Sequence, residues 1–172
     1  MKIAVVVKSV PDSETKPKPG DAGWSLANPD IKYVLNPYDE FAVELAVSLK
    51  EQEADTTVEI VTLVPADRDP TQEIRKGTLA VGADKATILK NASKTNLDPL
   101  AEAKLIADQL RTIDGLDLVL FGKQAIDDDL QSLGPMVATL LDLPCVSSIE
   151  HFEKDGNEVT VKRPIEGGSE TV

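Results

Sequence analysis

Short apolar runs of strand length alternate with segments of helical periodicity along most of this 172-residue chain. Four runs are apolar nearly throughout, as strands covered on both faces are, at residues 2–7, 58–64, 85–89 and 116–121. The segments around 41–49, 71–81, 103–113 and 133–141 instead carry apolar residues at spacings of three and four, which is typical of amphipathic helices. Strand and helix alternate four times. This order predicts an α/β fold with a Rossmann-like, mostly parallel sheet, right-handed crossovers and helices on both faces.

Two segments depart from this alternation. Residues 13–30 are polar and contain prolines and glycines, so they form either a long loop or a short excursion packed by Trp24, and the sequence leaves both open. After Pro144 the pattern changes to strand-like alternation around Asp155-Gly156, which predicts a C-terminal β-hairpin. No helix or turn is evident in the final "EGGSETV". We therefore expect the chain to be a fragment, or to be completed by a partner.

Charge and composition exclude several classes of function. The net charge is −12, and basic residues are scattered, which argues against nucleic acid or an anionic membrane as a partner. A single cysteine, Cys145, forms no internal disulfide, and together with the single histidine, His151, it does not supply a zinc site of the usual spacing. The first apolar run is too short to span a membrane and lacks a signal-type cleavage region. A single cysteine that forms no internal disulfide fits a reducing compartment.

Ligands of open α/β sheets bind at the carboxyl ends of the strands. Four patches of the sequence map to that edge: "VKSVPD", "LNPYDE", "LVPAD" and "GKQAIDDD". In the second patch, Asn36 has the character of a helix N-cap, Pro37 suits the first turn, and Asp39 and Glu40 complement the helix dipole. Local pattern favours capping over ligand contact for Asn36, although the two roles are compatible.

The fourth patch contains three consecutive acids, Asp127 to Asp129, where phosphate would be repelled. They are more than a helix start needs, and neither the oxygen ligands of a metal site nor the pocket of an acid/base pair is evident beside them. The remaining interpretation is that backbone N–H groups from Gln124 to Asp129 face a ligand, while the carboxylates cap, hold the loop or meet ribose hydroxyls. Gln131, Ser132 and the N–H groups after them then take phosphate. The loop lacks the glycines of the known nucleotide motifs, so this signal is weak.

Five blocks of the chain, in order, closely resemble the beta subunit of electron transfer flavoprotein. They are "MKIAVVVKSVPD", "LNPYDEFAVELAVSLKE", "IRKGTLAVGADKATIL", "DLVLFGKQAIDDD" and "VTVKRPIEGGSETV". The resemblance implies one nucleotide-binding α/β domain over residues 1–172, truncated before a C-terminal segment that in the family wraps onto the alpha subunit and docks dehydrogenases. It also implies a non-catalytic redox subunit without its own substrate chemistry or metal.

Cofactors and partners follow from the same resemblance. Family members are alpha/beta heterodimers whose FAD, held mainly by the alpha subunit, takes electrons from acyl-CoA and other dehydrogenases and passes them to a membrane quinone oxidoreductase. The beta subunit holds AMP. Tyr38 matches an aromatic position near the flavin ring edge. Carried over by position, the cofactor-binding residues are Val6, Asn36, Pro37, Tyr38, Asp39, Leu63, Gly122, Lys123, Gln124, Ala125, Ile126, Asp127, Asp128, Asp129, Leu130, Gln131, Ser132 and Leu133.

Three alternatives to this function remain open. Flavin-bifurcating relatives hold a second FAD in this subunit and tend to have Asp-Gly-Asp, so Asp128 favours the AMP type. The run Gln131, Ser132, Leu133 departs from the family pattern. A side-chain contact to the phosphate is therefore either weakened or supplied by Ser132. An ATP-pyrophosphatase-like enzyme or a stand-alone adenine-nucleotide-binding module would need glycine-rich loops that this chain lacks. The expected location is the bacterial cytoplasm, or the mitochondrial matrix for a eukaryotic source.

Overall fold

A computed structural model describes residues 1–16, 18–20, 31–92 and 97–172. The predicted excursion at 13–30, with Trp24, lies largely outside the described residues. In chain order the elements are β1 (Lys2–Val6), β2 (Ser9–Pro11), β3 (Tyr33–Leu35), α1 (Pro37–Gln52), β4 (Thr57–Val64), α2 (Thr71–Ile74) continued by a π-helical turn (Arg75–Leu79), β5 (Lys85–Lys90), α3 (Pro99–Arg111), β6 (Leu118–Phe121), α4 (Leu133–Leu141), β7 (His151–Asp155), β8 (Glu158–Ile165) and β9 (Gly168–Thr171).

The central sheet has four parallel strands in the spatial order β5-β4-β1-β6. These are the four apolar runs that the sequence predicts, so the α/β class with a parallel sheet is confirmed. The chain builds outward from β1 through β4 to β5, and then crosses back to place β6 on the other side of β1. The order of the strands therefore reverses between β1 and β6, which is where open α/β sheets form a ligand crevice.

Helices cover both faces of this sheet, because the side chains of β1 alternate between two apolar clusters. Ile3 and Val5 pack in the cluster that contains Val43 of α1. Ala4 and Val6 point the other way, into the cluster that contains Ile106 of α3 and Val137 of α4. All four β1 side chains are at most 4% exposed. The prediction that helices cover both faces of the sheet is confirmed.

The helix expected over residues 71–81 is shorter than its periodicity indicates. Only four residues are α-helical before a π-helical turn begins, and Ala80 donates its N–H to the Arg75 carbonyl, five residues back, at 2.9 Å. Gly77 lies against Leu35, and the Thr78 hydroxyl donates to the Ile74 carbonyl at 2.7 Å. The wider turn thus fits tertiary packing around Gly77, which apolar periodicity does not encode.

Two antiparallel units flank the central sheet. The short strands β2 and β3 pair next to the carboxyl end of β1, and no pattern in their residues predicts them. The predicted hairpin is present as β7 and β8, with Gly156 at φ +58 in its turn. The expectation that nothing closes the last residues is wrong, because Gly167 turns the chain and β9 adds a third strand. Within the described ranges, no helix has the length and apolar character that crossing a membrane requires.

Candidate functional site

A cavity of about 980 Å³ opens at the carboxyl edge of the central sheet. Each of the four predicted patches contributes to its lining, for example through Lys8, Asn36, Pro65 and Gly122. The patches meet because the carboxyl ends of parallel strands share one edge. The cavity lies where β1 and β6 end side by side, at the point where the strand order reverses.

The carboxyl group of Asp39 joins the ends of these two strands. It is 5% exposed and lies in the first turn of α1. One oxygen accepts the backbone N–H of Lys8, after β1, at 2.7 Å, and the other accepts the backbone N–H of Gly122, after β6, at 3.1 Å. Burial raises the pKa of Asp39 to about 7, although both N–H groups favour the carboxylate. We call this arrangement the Asp39 bridge.

Gly122 is required by the closeness of this contact. A Cβ atom built at Gly122 would lie 2.1 Å from the Asp39 carboxyl Oδ1, and 2.7 Å from both the Asp39 backbone nitrogen and the Tyr38 carbonyl carbon. Two of those neighbours are backbone atoms of α1, which do not move aside easily. The glycine therefore lets the chain leaving β6 approach the start of α1 directly.

Asn36 does not cap α1 with its side chain, contrary to the sequence-based preference. It occupies the N-cap position, and its carbonyl accepts the Asp39 N–H, but its side chain makes no capping bond. The side-chain amide instead donates to the Gln124 carbonyl at 2.8 Å and accepts the Ile126 N–H at 3.2 Å. Only 1% of the residue is exposed. Asn36 thus holds the acidic loop against the helix, which is a long-range role that a local pattern does not reveal.

The three acids of this loop bind other parts of the chain. Lys8 Nζ lies 2.8 Å from carboxylate oxygens of both Asp127 and Asp128, and the Gln124 amide donates to Asp129 at 2.6 Å. Burial lowers the pKa of Lys8, but its bonds to the two aspartates outweigh that effect and leave the pKa raised. The carboxylates therefore hold the loop, as one of the sequence-based interpretations had it, and Lys8 offsets one of their three negative charges.

Backbone N–H groups of the loop are only partly available to a ligand. The Asp129 N–H donates to the Ala125 carbonyl at 2.9 Å, the Asp128 N–H shares that acceptor, and Asn36 takes the Ile126 N–H. The prediction that all N–H groups from 124 to 129 face the ligand is therefore wrong for these three. Within the described part of the chain, the N–H groups of Leu133 and Gly134 at the start of α4 have no acceptor, and Ser132 makes no side-chain cap.

Most of the residues predicted to bind a cofactor line the cavity. Those that do are Val6, Asn36, Asp39, Leu63, Gly122, Lys123, Gln124, Ala125, Asp127, Asp128, Leu130, Ser132 and Leu133. Those that do not are Pro37, Tyr38, Ile126, Asp129 and Gln131, whose ligand contacts stay predictions. Pro37 occupies the first turn of α1 as expected, and Asp129 adopts φ +53, which lets the loop turn.

Several other residues of the lining carry no site signal in the sequence. Lys8 lies inside the first patch but carried no predicted role. Arg68 follows the third patch, and its guanidinium carbon lies 3.4 Å from the Tyr33 ring centroid while Nη2 donates to the Ser9 hydroxyl at 2.5 Å. This contact fixes the β2–β3 pair beside the cavity. Glu102 of α3 also lines it. Among the described residues, no three His, Cys, Asp or Glu side chains are grouped as metal ligands.

Comparison with known proteins agrees with this architecture. The family model described as "Electron transfer flavoprotein domain" matches residues 23–172. Over the whole chain, identity is 39% to an electron transfer flavoprotein subunit beta of Bradyrhizobium diazoefficiens, covering 67% of that protein, and 36% to the human subunit beta, also covering 67%. A probable subunit beta of Saccharomyces cerevisiae is 35% identical and is covered over 66% of its length. The chain thus spans about two thirds of the length of these relatives, all of which are beta subunits. It belongs to the electron transfer flavoprotein family.

Proposed function

We propose that this chain is the AMP-holding beta subunit of a heterodimeric electron transfer flavoprotein. The observation that carries the proposal is the cavity at the reversal point of the sheet, bounded by the loop from Gly122 to Leu133. Its volume of about 980 Å³ lies at the upper end of the range of roughly 300–1,000 Å³ for small-molecule sites. Family membership supplies the class of ligand, and the cavity supplies room for it.

The phosphate of AMP is proposed to bind at the start of α4. The N–H groups of Leu133 and Gly134 point out of the first turn, the helix dipole favours an anion there, and the Ser132 hydroxyl is not used as a cap. Lys8 pairs with both Asp127 and Asp128 and offsets one of their two charges, so it lowers the repulsion that a phosphate meets at this position. Recognition of the phosphate is therefore assigned to main chain and to Ser132, while the acids keep the loop in place.

The redox role follows from the family rather than from the cavity. FAD, which supplies the electron-carrying chemistry, is proposed to lie mainly in an alpha subunit, and this chain has no substrate chemistry of its own. Tyr38 does not line the cavity, and its place near the flavin ring is proposed from the resemblance alone. Acyl-CoA and related dehydrogenases are the proposed donors, and a membrane quinone oxidoreductase is the proposed acceptor. The bacterial cytoplasm or the mitochondrial matrix is the proposed location.

A second FAD in this cavity, as in bifurcating relatives, is the competing proposal. The size of the cavity favours it, because about 980 Å³ exceeds what a mononucleotide needs. The contacts of Asp128 oppose it. That carboxylate binds Lys8 at 2.8 Å and accepts the Leu130 N–H at 2.9 Å, and a glycine at this position would remove both bonds. The conformation of the loop thus depends on Asp128, the residue that distinguishes the AMP type from the bifurcating type.

The test is to identify the nucleotides released when the heterodimer is denatured. Separation by chromatography, with mass and absorbance detection, should give AMP and FAD in a ratio near one to one. Release of two FAD per heterodimer without AMP would support the bifurcating alternative. Release of no adenine nucleotide other than one FAD would refute the assignment of a ligand to this cavity.

A further inference from the structure

Glu102 is a charged residue on an apolar face of α3. Pro99, Glu102 and Ile106 follow one another at spacings of three and four, so they share the face of the helix that lines the cavity. Its neighbours in the chain on the core side, Ala103 and Ile106, are at most 1% exposed. Helical periodicity alone calls for an apolar side chain at position 102.

The Glu102 carboxyl has no hydrogen-bond donor from the protein in the described part of the chain. The nearest cation among the groups that influence it is Lys8, and Lys8 already contacts Asp127 and Asp128 at 2.8 Å each. Burial raises the pKa of Glu102, the attraction of Lys8 opposes that rise, and the negative charges of Asp128 and Asp127 add to it. The carboxyl is half-buried and open to the cavity, so a ligand that fills the cavity must donate to it or leave it desolvated without a partner, which is costly.

A helix-stabilising role does not account for this position. Glu102 is one turn into α3, where an acid gains about 0.3–1 kcal/mol from the helix dipole. The start of α3 is already capped, because the Asp98 side chain accepts the N–H groups of Leu100 and Ala101 at 3.1 Å. An acid serving the dipole could lie on the exposed face instead of the cavity.

We propose that Glu102 determines ligand specificity in this cavity by accepting hydrogen bonds from neutral donors of the nucleotide, namely ribose hydroxyls or the amino group of the base. This inference rests on the proposed function. Phosphate is repelled at Glu102 and attracted at the start of α4, so the two sites orient the nucleotide with its phosphate away from α3. Glu102 acts on the ligand directly and is not needed for the Asp39 bridge.

The experiment measures dissociation constants by titration calorimetry for the chain and for Glu102→Leu. The ligands are AMP, 2′,3′-dideoxy-AMP, which lacks the hydroxyls, and inosine monophosphate, which lacks the amino group. Glu102→Leu should weaken AMP binding by about 10- to 100-fold, the usual worth of hydrogen bonds to a charged group. In that variant, the analogue that lacks the contacted donor should bind as well as AMP. The dideoxy and inosine arms show which donor is used.

Controls separate the possible failures. Glu102→Gln keeps an acceptor and should recover part of the affinity, and Glu44→Gln, at an exposed position on α1, should leave it unchanged. Urea unfolding of each variant checks that the fold persists. If the chain does not bind AMP at all, the proposed function fails. AMP could bind while the removal of the hydroxyls or of the amino group from the ligand weakens binding equally in the parent chain and in Glu102→Leu. In that case the proposed function stands and the role of Glu102 is refuted.

Discussion

Replacing Gly122 by alanine tests the Asp39 bridge most severely. The added methyl group would lie 2.1 Å from the Asp39 Oδ1 atom and 2.7 Å from two backbone atoms of the first turn of α1. Relief requires that the chain leaving β6 move away from the helix. That movement breaks the 3.1 Å bond from the Gly122 N–H to Asp39 and leaves a buried carboxyl with one donor fewer.

The expected loss of stability has two parts. Overpacking of a close contact costs about 1–3 kcal/mol, and a buried acceptor without its partner costs about 1–3 kcal/mol more. The free energy of unfolding of Gly122→Ala should therefore fall by about 2–6 kcal/mol, with a thermal midpoint lower by about 4–24 °C for a chain of this length. Urea unfolding followed by circular dichroism measures the first quantity, and a thermal scan measures the second.

Gly134→Ala is the matched control at the same edge of the sheet. Its Cβ atom would lie 3.5 Å from the Phe121 ring, an ordinary contact, and alanine is favoured over glycine within a helix by about 0.5–1 kcal/mol. This variant should be as stable as the parent chain or slightly more so. The free energy of unfolding of Gly122→Ala could instead lie within about 0.5 kcal/mol of the parent value, which is the usual effect of a surface change. That result would show that the Asp39 bridge is not rigid.

Three further predictions concern charges at the site. Burial raises the pKa of folded Asp39 to about 7, from an unfolded value of about 3.9, so between these pH values the folded chain binds more protons than the unfolded chain. The contribution of Asp39 to the free energy of unfolding therefore falls by up to about 4 kcal/mol as the pH rises from about 4 to about 7. Asp39→Asn should lack this fall when its urea curves at about pH 5 and about pH 8 are compared with those of the parent, and parallel curves would contradict the assignment. Asp128→Asn should lose about 1 kcal/mol or less and keep its nucleotide, since Lys8 retains Asp127 and the Asp128 side chain is 36% exposed. Gly122→Val, whose side chain crowds the start of α1, should lose its nucleotide, and an equal loss in Asp128→Asn would contradict this expectation. Lys8→Met leaves both carboxylates without their cation and should lower the urea midpoint more than Asp128→Asn does, whereas an equal effect would refute the role of Lys8.

Elements with a continuous local signal could be predicted from the sequence. The central strands are buried on both faces and are therefore apolar along their length, and the stripe of α3 marks its buried side through Ile106 and Leu110. The β2–β3 pair could not be predicted in this way. Each strand has three residues, which is too few for a period to be detected, and the pair depends on contacts such as that between Arg68 and Tyr33.

The candidate site could be located from the sequence, but the roles of its residues could not be assigned. Asp39 has the local character of a helix-start acid, yet its carboxyl binds N–H groups 31 and 83 residues away. Likewise, Asp127 is paired with a lysine 119 residues earlier in the chain. Such contacts exist only because parallel strands bring distant loops to one edge. The position of that edge follows from the pattern, whereas the partners across it follow from the folded geometry.

A thermal scan of the chain with AMP and with FAD tests the central claim most directly. A ligand that binds only the folded state stabilises it by about 2.7 kcal/mol at a hundredfold excess over its dissociation constant, which corresponds to about 5–11 °C for a chain of this length. We expect a rise of this size with AMP and a much smaller rise with FAD, because the cavity residues proposed for AMP lie within this chain, while most flavin contacts are assigned to the partner. A rise with FAD and no response to AMP would contradict both the site assignment and the AMP-type function.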